Sequence, residues 1–503
     1  MNASPGRASA PATPAPRAAS GPAVLAVRAA AALVVVLLVL VILRLPWAGD
    51  LGMHAATVQR LRHSLVAPGD PLVDADVPSP YYSPWTVVLG CLARVSGLSV
   101  FVVLRLAAFT ALGLLLTGVW RYVRTLSGRP AAPALALLSL LLLWGTSVFT
   151  WSGFHGLDSL ALTVSYPSVF TLGLAFHLWA WLGRAVRGDA GTGTWLGLGA
   201  LGAVILLCHQ FMGVVASLGA IATVVAARPG RRVWPRLGAG AVTGLGVLLV
   251  WPYYDVLALL GSGGGLEAVH RPLYDDLPGR YWLVLLGVVA LGARWRRDRW
   301  DALVLFFVLG TAVVAAGGLS GHYSWGRALP AVLIPAQLAA ALEVLEAGRR
   351  ALRAGWACVL GAALVLGAWT QAGALGHVVD PHDLPAAVAE KYRRPWAGYH
   401  WLTPWVRYGD VVMAHPGRPA RQIPAYGAYT VAPGYPDVFL PDEAARERAV
   451  RRWFAPGTPG EERARILRMY GVRWVVAGAG AGQPGLREVT RGPEGQVLYR
   501  VLR

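Results

Sequence analysis

The residues able to do acid–base or anion chemistry in this chain are few and gather in a handful of connections. One connection, about 46–97, holds Asp50, His54, Arg60, Arg62, His63, Asp70, Asp74 and Asp76 and then the string PSPYYSPW. Others hold His155 and Asp158 in WSGFHGLDS, His209 in a short CHQ turn, and Glu267, His270, Arg271, Asp275 and Asp276. The last has His322, Tyr323 and Arg327 in GHYSWGR. A carboxylate can take a hydroxyl proton, and an arginine fork binds phosphate oxygens two at a time. The set suits a reaction that activates a hydroxyl and holds an anionic leaving group.

The elements that must position these groups are membrane helices. Of 503 residues, 55% are hydrophobic and 14% charged, well below the charged share of about 25% in soluble domains. Apolar bands recur from 23 to about 377, many of them approaching the ~20 residues that cross a bilayer. The expected spans are 23–45, 98–121, 132–151, 166–183, 193–209, 211–227, 237–259, 281–293, 302–318, 328–346 and 355–376, about eleven in all. The first is too long for a signal-peptide core and lacks a small-residue cleavage site. Residues 1–22, made mostly of Ala, Pro, Ser and Gly, are expected to be unfolded and cytoplasmic. A net charge of +19 would suit nucleic acid only as a basic face on a soluble domain; here the arginines sit between apolar bands, and Lys391 is the only lysine. Three cysteines, Cys91, Cys208 and Cys358, show no metal or redox spacing.

Orientation follows from the arginines. With a cytoplasmic amino terminus, the inward connections carry runs such as Arg228, Arg231, Arg232 and Arg236, or Arg294, Arg296, Arg297 and Arg299. The outward ones carry scattered residues such as Arg44, Arg271 and Arg327. The polar connections above then all face outward, leaving the inner side arginine with Asp189, Asp298 and Asp301. Within 46–97, Leu51–Val66 and Trp85–Ser96 read as amphipathic helices lying in the interface and roofing a cavity. Residues 378–503 differ in kind. Short β-type runs (Asp410–Ala414, Arg473–Ala477, Val497–Leu502) surround charged helical stretches at about 441–454 and 459–470, with Pro and Gly between. The expected architecture is an α-helical polytopic membrane domain, 23–377, with a small extracytoplasmic α/β domain, 378–503.

WAGDLGMHAATVQRL directly after the first helix, PSPYYSPWTVVLGCLARVSGLS, WSGFHGLDSLALTVSYPSVF and GRALPAVLIP resemble the GT-C superfamily of membrane glycosyltransferases, in its actinobacterial type. The resemblance covers most of the chain. It implies a GT-C-like fold and inverting transfer of a hexose or pentose at the outer face of the plasma membrane. The donor would be a polyprenyl-phosphate sugar, and the acceptor a hydroxyl on a cell-envelope glycan, lipid or protein. Members carry an acidic catalytic base after the first helix, and Asp50 matches that position. Many have two adjacent acids there, whereas Asp50 follows Gly49 and precedes Leu51. A second carboxylate, or a divalent metal such as Mg or Mn, would fall to Asp74 and Asp76.

Each candidate has a plainer alternative. Asp50 could serve as a helix N-cap, and a D-x-D such as Asp74 and Asp76 is common in turns. His54, one helical turn after Asp50, faces the same way and is a candidate for orienting acceptor or phosphate. Arg271 with His270, and Arg327 with His322, are candidates for the carrier's phosphate, against snorkelling to the interface. Taken singly, His155, His209 and His322 read more readily as structural. Two other functions compete with this one. A transporter or flippase predicts inverted repeats and midplane charges; no repeat is found, and Arg105 is the main charge deep in a span. A non-catalytic glycan-binding member of the same fold would bind without turnover.

Overall fold

The computed structural model describes residues 21–188, 190–261, 267–478 and 485–502. Most of the amino-terminal stretch 1–22, and Asp189, lie outside the described residues. Helices stand at all the expected spans: α1 (Pro22–Arg44), then α2 (Leu51–His63) and α3 (Pro84–Ser96) in the first connection, then α4 (Val100–Leu126), α5 (Ala132–Leu142), α6 (Leu157–Thr163), α7 (Pro167–Arg187), α8 (Thr192–Cys208), α9 (Gln210–Ala227) and α10 (Val233–Leu249). They continue as α11 (Leu285–Arg297), α12 (Ala302–Ser320), α13 (Pro330–Glu346) and α14 (Arg350–Thr370). Among the described residues, seven helices are long and apolar enough to cross a membrane, eight if the bent Glu267–Tyr274 and Leu277–Arg297 pair is one span. Helices α5, α8 and α10 are shorter, and they stand at three of the expected positions.

The span expected at 132–151 is shorter than its sequence suggests. Helix α5 ends at Leu142, and the chain then leaves helical geometry to pair with another loop. The Thr146 and Ser147 N–H groups both donate to the Gly279 carbonyl, at 2.8 and 3.0 Å. A side chain at Gly145 would sit 2.2 Å from that carbonyl, so only glycine permits the approach. Helices α4 and α7 meet equally closely, because a Cβ on Gly118 would lie 2.6 Å from the Gly173 carbonyl. Small residues at such crossings are what apolar helices need when packing supplies most of the association energy. Arg105, inside α4, reaches back to the Leu43 carbonyl at the end of α1 (3.1 Å).

The first connection departs from expectation. The Leu51–Val66 stretch reads as an interfacial helix with one wet face, yet α2 buries Leu51 to Val58, Arg60 and Leu61. Its second face is covered by the carboxyl-terminal domain. A Cβ on Gly52 would fall 1.9 Å from the Arg421 carbonyl oxygen. Helix α3 keeps the expected amphipathic character: it is capped by a reciprocal Ser83–Thr86 box, buries Trp85, Leu89 and Ala93, and leaves Val88 and Val95 exposed.

The carboxyl-terminal domain has a mixed five-stranded sheet in the order β2-β1-β3-β5-β4. Strands β1 (Val411–Ala414), β3 (Trp474–Gly478) and β5 (Gln496–Val501) fall on the three expected runs, and helices α15 (Glu443–Phe454) and α16 (Gly460–Met469) on the two helical stretches. Strands β2 (Tyr429–Thr430) and β4 (Leu486–Arg491) lie outside those runs. One face of the sheet packs Val411, Met413, Val475 and Tyr499 against α15 and α16. The other packs Val412, Trp474 and Leu498 against Tyr399, Leu402, Val406 and Ile423. The first connection joins this sheet directly, since Thr430 N–H donates to the Leu72 carbonyl at 2.9 Å and Val73 bridges Thr430 in parallel.

Candidate functional site

Asp50 sits where α1 turns into α2. Gly49 takes a positive φ of 48°, a conformation that a Cβ would strain, and this reverses the chain. Two phenols hold the turn from opposite domains: Tyr166, just before α7, donates to the Ala48 carbonyl, and Tyr435 of the carboxyl-terminal domain donates to the Gly49 carbonyl at 2.8 Å. Asp50 stands at the N-cap position of α2, but its side chain accepts no capping hydrogen bond. The capping role weighed from sequence is therefore not the one its carboxylate plays. The carboxylate is half-buried, and its charge acts on His54, Tyr81, Tyr166, Arg327 and Tyr435.

His54 is buried, edge-on to Tyr166 with ring centroids 4.8 Å apart. Burial pulls its imidazole down to about 4, against the opposing pull of the Asp50 charge. At neutral pH it is an uncharged donor–acceptor beside Asp50. Burial, then the charge of Asp50, pushes the Tyr435 phenol far above its ordinary range, so it stays a donor.

Arg327 is 8% exposed, has Asp50 as an electrostatic partner, and lies over the Phe211 ring at 4.8 Å. Its Nη2 is 3.4 Å from His209 Nε2. His209 stands between α8 and α9, where its Nδ1 accepts the Met212 N–H at 3.1 Å and so caps α9. Burial, followed by the Arg327 charge, holds the His209 ring neutral. Nδ1 is occupied as an acceptor, which leaves Nε2 turned toward the Arg327 guanidinium. Arg327 Nη2 and His209 Nε2 thus face one another, and among the described residues no carboxylate forms a hydrogen bond or ion pair with the Arg327 guanidinium. From the sequence alone, His209 reads as a single structural histidine. The signal it carries is position: a histidine in a one-residue break between two apolar helices.

The other candidates distribute unevenly. His270 is buried against Phe211, ring centroids 5.4 Å apart, and so shares the aromatic that underlies Arg327. Arg271 lies exposed over Tyr323 at 5.9 Å. His322 is exposed too, its Nδ1 2.9 Å from Ser320 Oγ. Among the described residues, no hydrogen bond or ion pair joins Arg271 or His322 to Asp50. Glu267 stays in that same outer cluster, accepting from Ser324 N–H and Oγ at 2.9 Å each. His155 is a bundle residue, its Nε2 2.6 Å from Gln337 Oε1.

Asp74 and Asp76 do not fit a metal site. Both are exposed on a turn, and among the described residues no three His, Cys, Asp or Glu side chains gather at metal-holding distances. The D-x-D points outward because the residue before it, Val73, is fixed to Thr430. The buried carboxylate of this loop is instead Asp70, which accepts the Leu72 and Val73 N–H groups at 2.7 and 2.8 Å.

No known family profile matches the chain, and no curated protein matches its sequence. Its three-dimensional likenesses are clear. It superposes on the arabinofuranosyltransferase AftD from mycobacteria with a TM-score of 0.57 at 16% identity, over 95% of this chain and 40% of that one. It superposes on ArnT from Cupriavidus metallidurans, in the apo state, with a TM-score of 0.56 at 15% identity, over 95% of this chain and 98% of that one. The chain thus spans less than half the length of the arabinofuranosyltransferase and nearly all of ArnT. The fold is GT-C-like.

Proposed function

We propose that this chain is a membrane glycosyltransferase that moves a sugar from a polyprenyl-phosphate donor to a hydroxyl of a cell-envelope acceptor, at the outer face of the plasma membrane. One observation carries the reading: a half-buried carboxylate with no capping duty, Asp50, is electrostatically coupled to a buried arginine, Arg327, that has His209 beside it and no carboxylate bonded to it among the described residues. In this reading Asp50 takes the acceptor's hydroxyl proton. The freed oxygen attacks the anomeric carbon, and the bond from that carbon to the phosphate oxygen breaks. The electron pair leaves with the polyprenyl phosphate, whose new charge is held by the N–H groups of Arg327 and His209. Attack opposite the leaving phosphate inverts the anomeric centre.

His54 and Tyr435 keep the base in place. A neutral His54 packs beside Asp50 without adding a positive charge, and Tyr435 fixes the turn that presents it. The mechanism routes no step through a metal, because Asp74 and Asp76 offer only two exposed ligands. The GT-C-like fold and the likeness to an arabinofuranosyltransferase support the class of reaction. The test is transfer from a polyprenyl-phosphate pentose or hexose by the full chain in lipid nanodiscs. Arg327→Gln and His209→Gln are expected to raise the KM for donor by about tenfold each, the loss of one charge-assisted bond. Unchanged donor KM in both variants would falsify the phosphate assignment.

A further inference from the structure

The carboxyl-terminal domain carries a cleft that this chemistry does not use. It has a volume of about 790 Å³, and its lining includes Trp405, Arg407, Asp410, Arg473, Arg487 and Arg500. That is within the range of ligand sites. Asp410 is its sole acidic group and is fully engaged: Oδ1 accepts from Arg473 at 2.7 Å, while Oδ2 accepts from Trp474 Nε1 and the Arg407 N–H. Arg407, Arg487 and Arg500 have no hydrogen bond or ion pair from their guanidinium groups among the described residues. Arg487 and Arg500 are direct cross-strand partners on β4 and β5. Like charges placed so are destabilising, unless an anion lies between them.

A chain of contacts links the cleft to the start of α4, a helix long and apolar enough to cross a membrane. Arg62 donates to the Gly97 carbonyl, three residues before α4 begins, and Arg94 donates to the His63 carbonyl. The His63 ring stacks on Tyr408, centroids 3.7 Å apart, and Tyr408 belongs to the segment that lines the cleft. Val66, three residues after His63, and Val95, next to Arg94, are 94% and 88% exposed. Exposed valines and a half-exposed Trp405 (46%) are at home beside acyl chains and headgroups.

We propose that this cleft binds the phosphate of an anionic lipid headgroup, on the Asp50 side of the membrane, and so moors the carboxyl-terminal domain to the bilayer. Arg487 and Arg500 share the phosphate oxygens, Arg407 adds charge, and Trp405 seats at the glycerol level. The site is separate from the Arg327–His209 pair and does not depend on sugar transfer.

The test uses the full chain in a neutral detergent, titrated calorimetrically with dihexanoyl phosphatidylglycerol. Saturable binding is expected, with none for dihexanoyl phosphatidylcholine. Each arginine near a membrane surface strengthens binding about fivefold, so Arg487→Gln with Arg500→Gln should weaken it about thirtyfold. Both positions are exposed and unpaired, so the double variant should unfold no earlier than the parent in the absence of lipid. Trp405→Ala is the independent second variant, with a weakening of a few-fold expected from one lost apolar contact. Equal phosphatidylglycerol affinity in parent and double variant overturns the proposal. So does glycerol phosphate binding as tightly as the lipid, which would mark a soluble phosphate ligand, or polygalacturonate binding more tightly, which would mark a carboxylated glycan site.

Discussion

Arg60 is the side chain on which the junction between the first connection and the carboxyl-terminal domain depends. It is 0% exposed and donates to three carbonyls: Pro71 at 3.3 Å, Gly427 at 2.8 Å and Ala428 at 2.5 Å. Its guanidinium lies 3.6 Å from the Tyr429 ring centroid and 5.0 Å from that of Tyr408. Arg60→Met keeps most of the volume and removes every donor, leaving buried carbonyls without partners. Breaking a buried charged network of this kind costs about 3–5 kcal/mol. Arg60→Lys recovers little, because an ammonium cannot fork across three acceptors. The reporter is the Thr430 amide, which crosses the junction to the Leu72 carbonyl. If Arg60 holds the junction shut, Arg60→Met speeds hydrogen exchange in the peptide containing Thr430 by about two to three orders of magnitude. Exchange within threefold of the parent would refute the reasoning.

Three further outcomes follow from the same geometry. Gly52→Val places a Cβ 1.9 Å from the Arg421 carbonyl, so the domain must shift away from α2; faster exchange over 418–426 and loss of transfer with Asp50 intact are expected. Burial, then the charge of Asp70, raises the Asp437 carboxyl to about 7. A carboxyl raised in the folded state favours folding while protonated, so its contribution declines as pH climbs from about 4 through 7. The melting temperature of the parent should therefore fall relative to that of Asp437→Asn between pH 5 and 8, and a constant difference across that range contradicts the assignment. Tyr435→Phe removes the donor to the Gly49 carbonyl, one ordinary hydrogen bond. It should lower kcat about threefold to tenfold with donor KM unchanged, and a rise in KM alone would put Tyr435 in donor binding instead.

What could be read from the sequence were properties of single segments. Hydropathy located the helices because each must bury or wet its faces on its own account, and β-branched runs such as VVMA and WVVAG gave three strands. Strand β4 escaped because LREVTR is an exposed, charged edge, and β2 because two residues carry no period. The amphipathic pattern of α2 showed an apolar stripe but not its second cover, which comes from residues more than 360 positions away. The early end of α5 has the same origin, since its partner loop lies at Gly279. At the site, Asp50 stood out by its place after the first helix and Arg327 by its place before a span. His209 and Tyr435 did not, because one acts through a partner over a hundred residues on and the other arrives from a separate domain.

The most direct measurement is single-turnover transfer from a polyprenyl-phosphate sugar by the parent chain and by Asp50→Asn, both reconstituted in nanodiscs and matched in melting temperature. Asparagine keeps the shape of the turn and cannot take a proton. The account predicts that the acceptor is glycosylated only by the parent, with donor binding retained in the variant and the transfer rate down by at least about a hundredfold. Equal rates in the two proteins would contradict it.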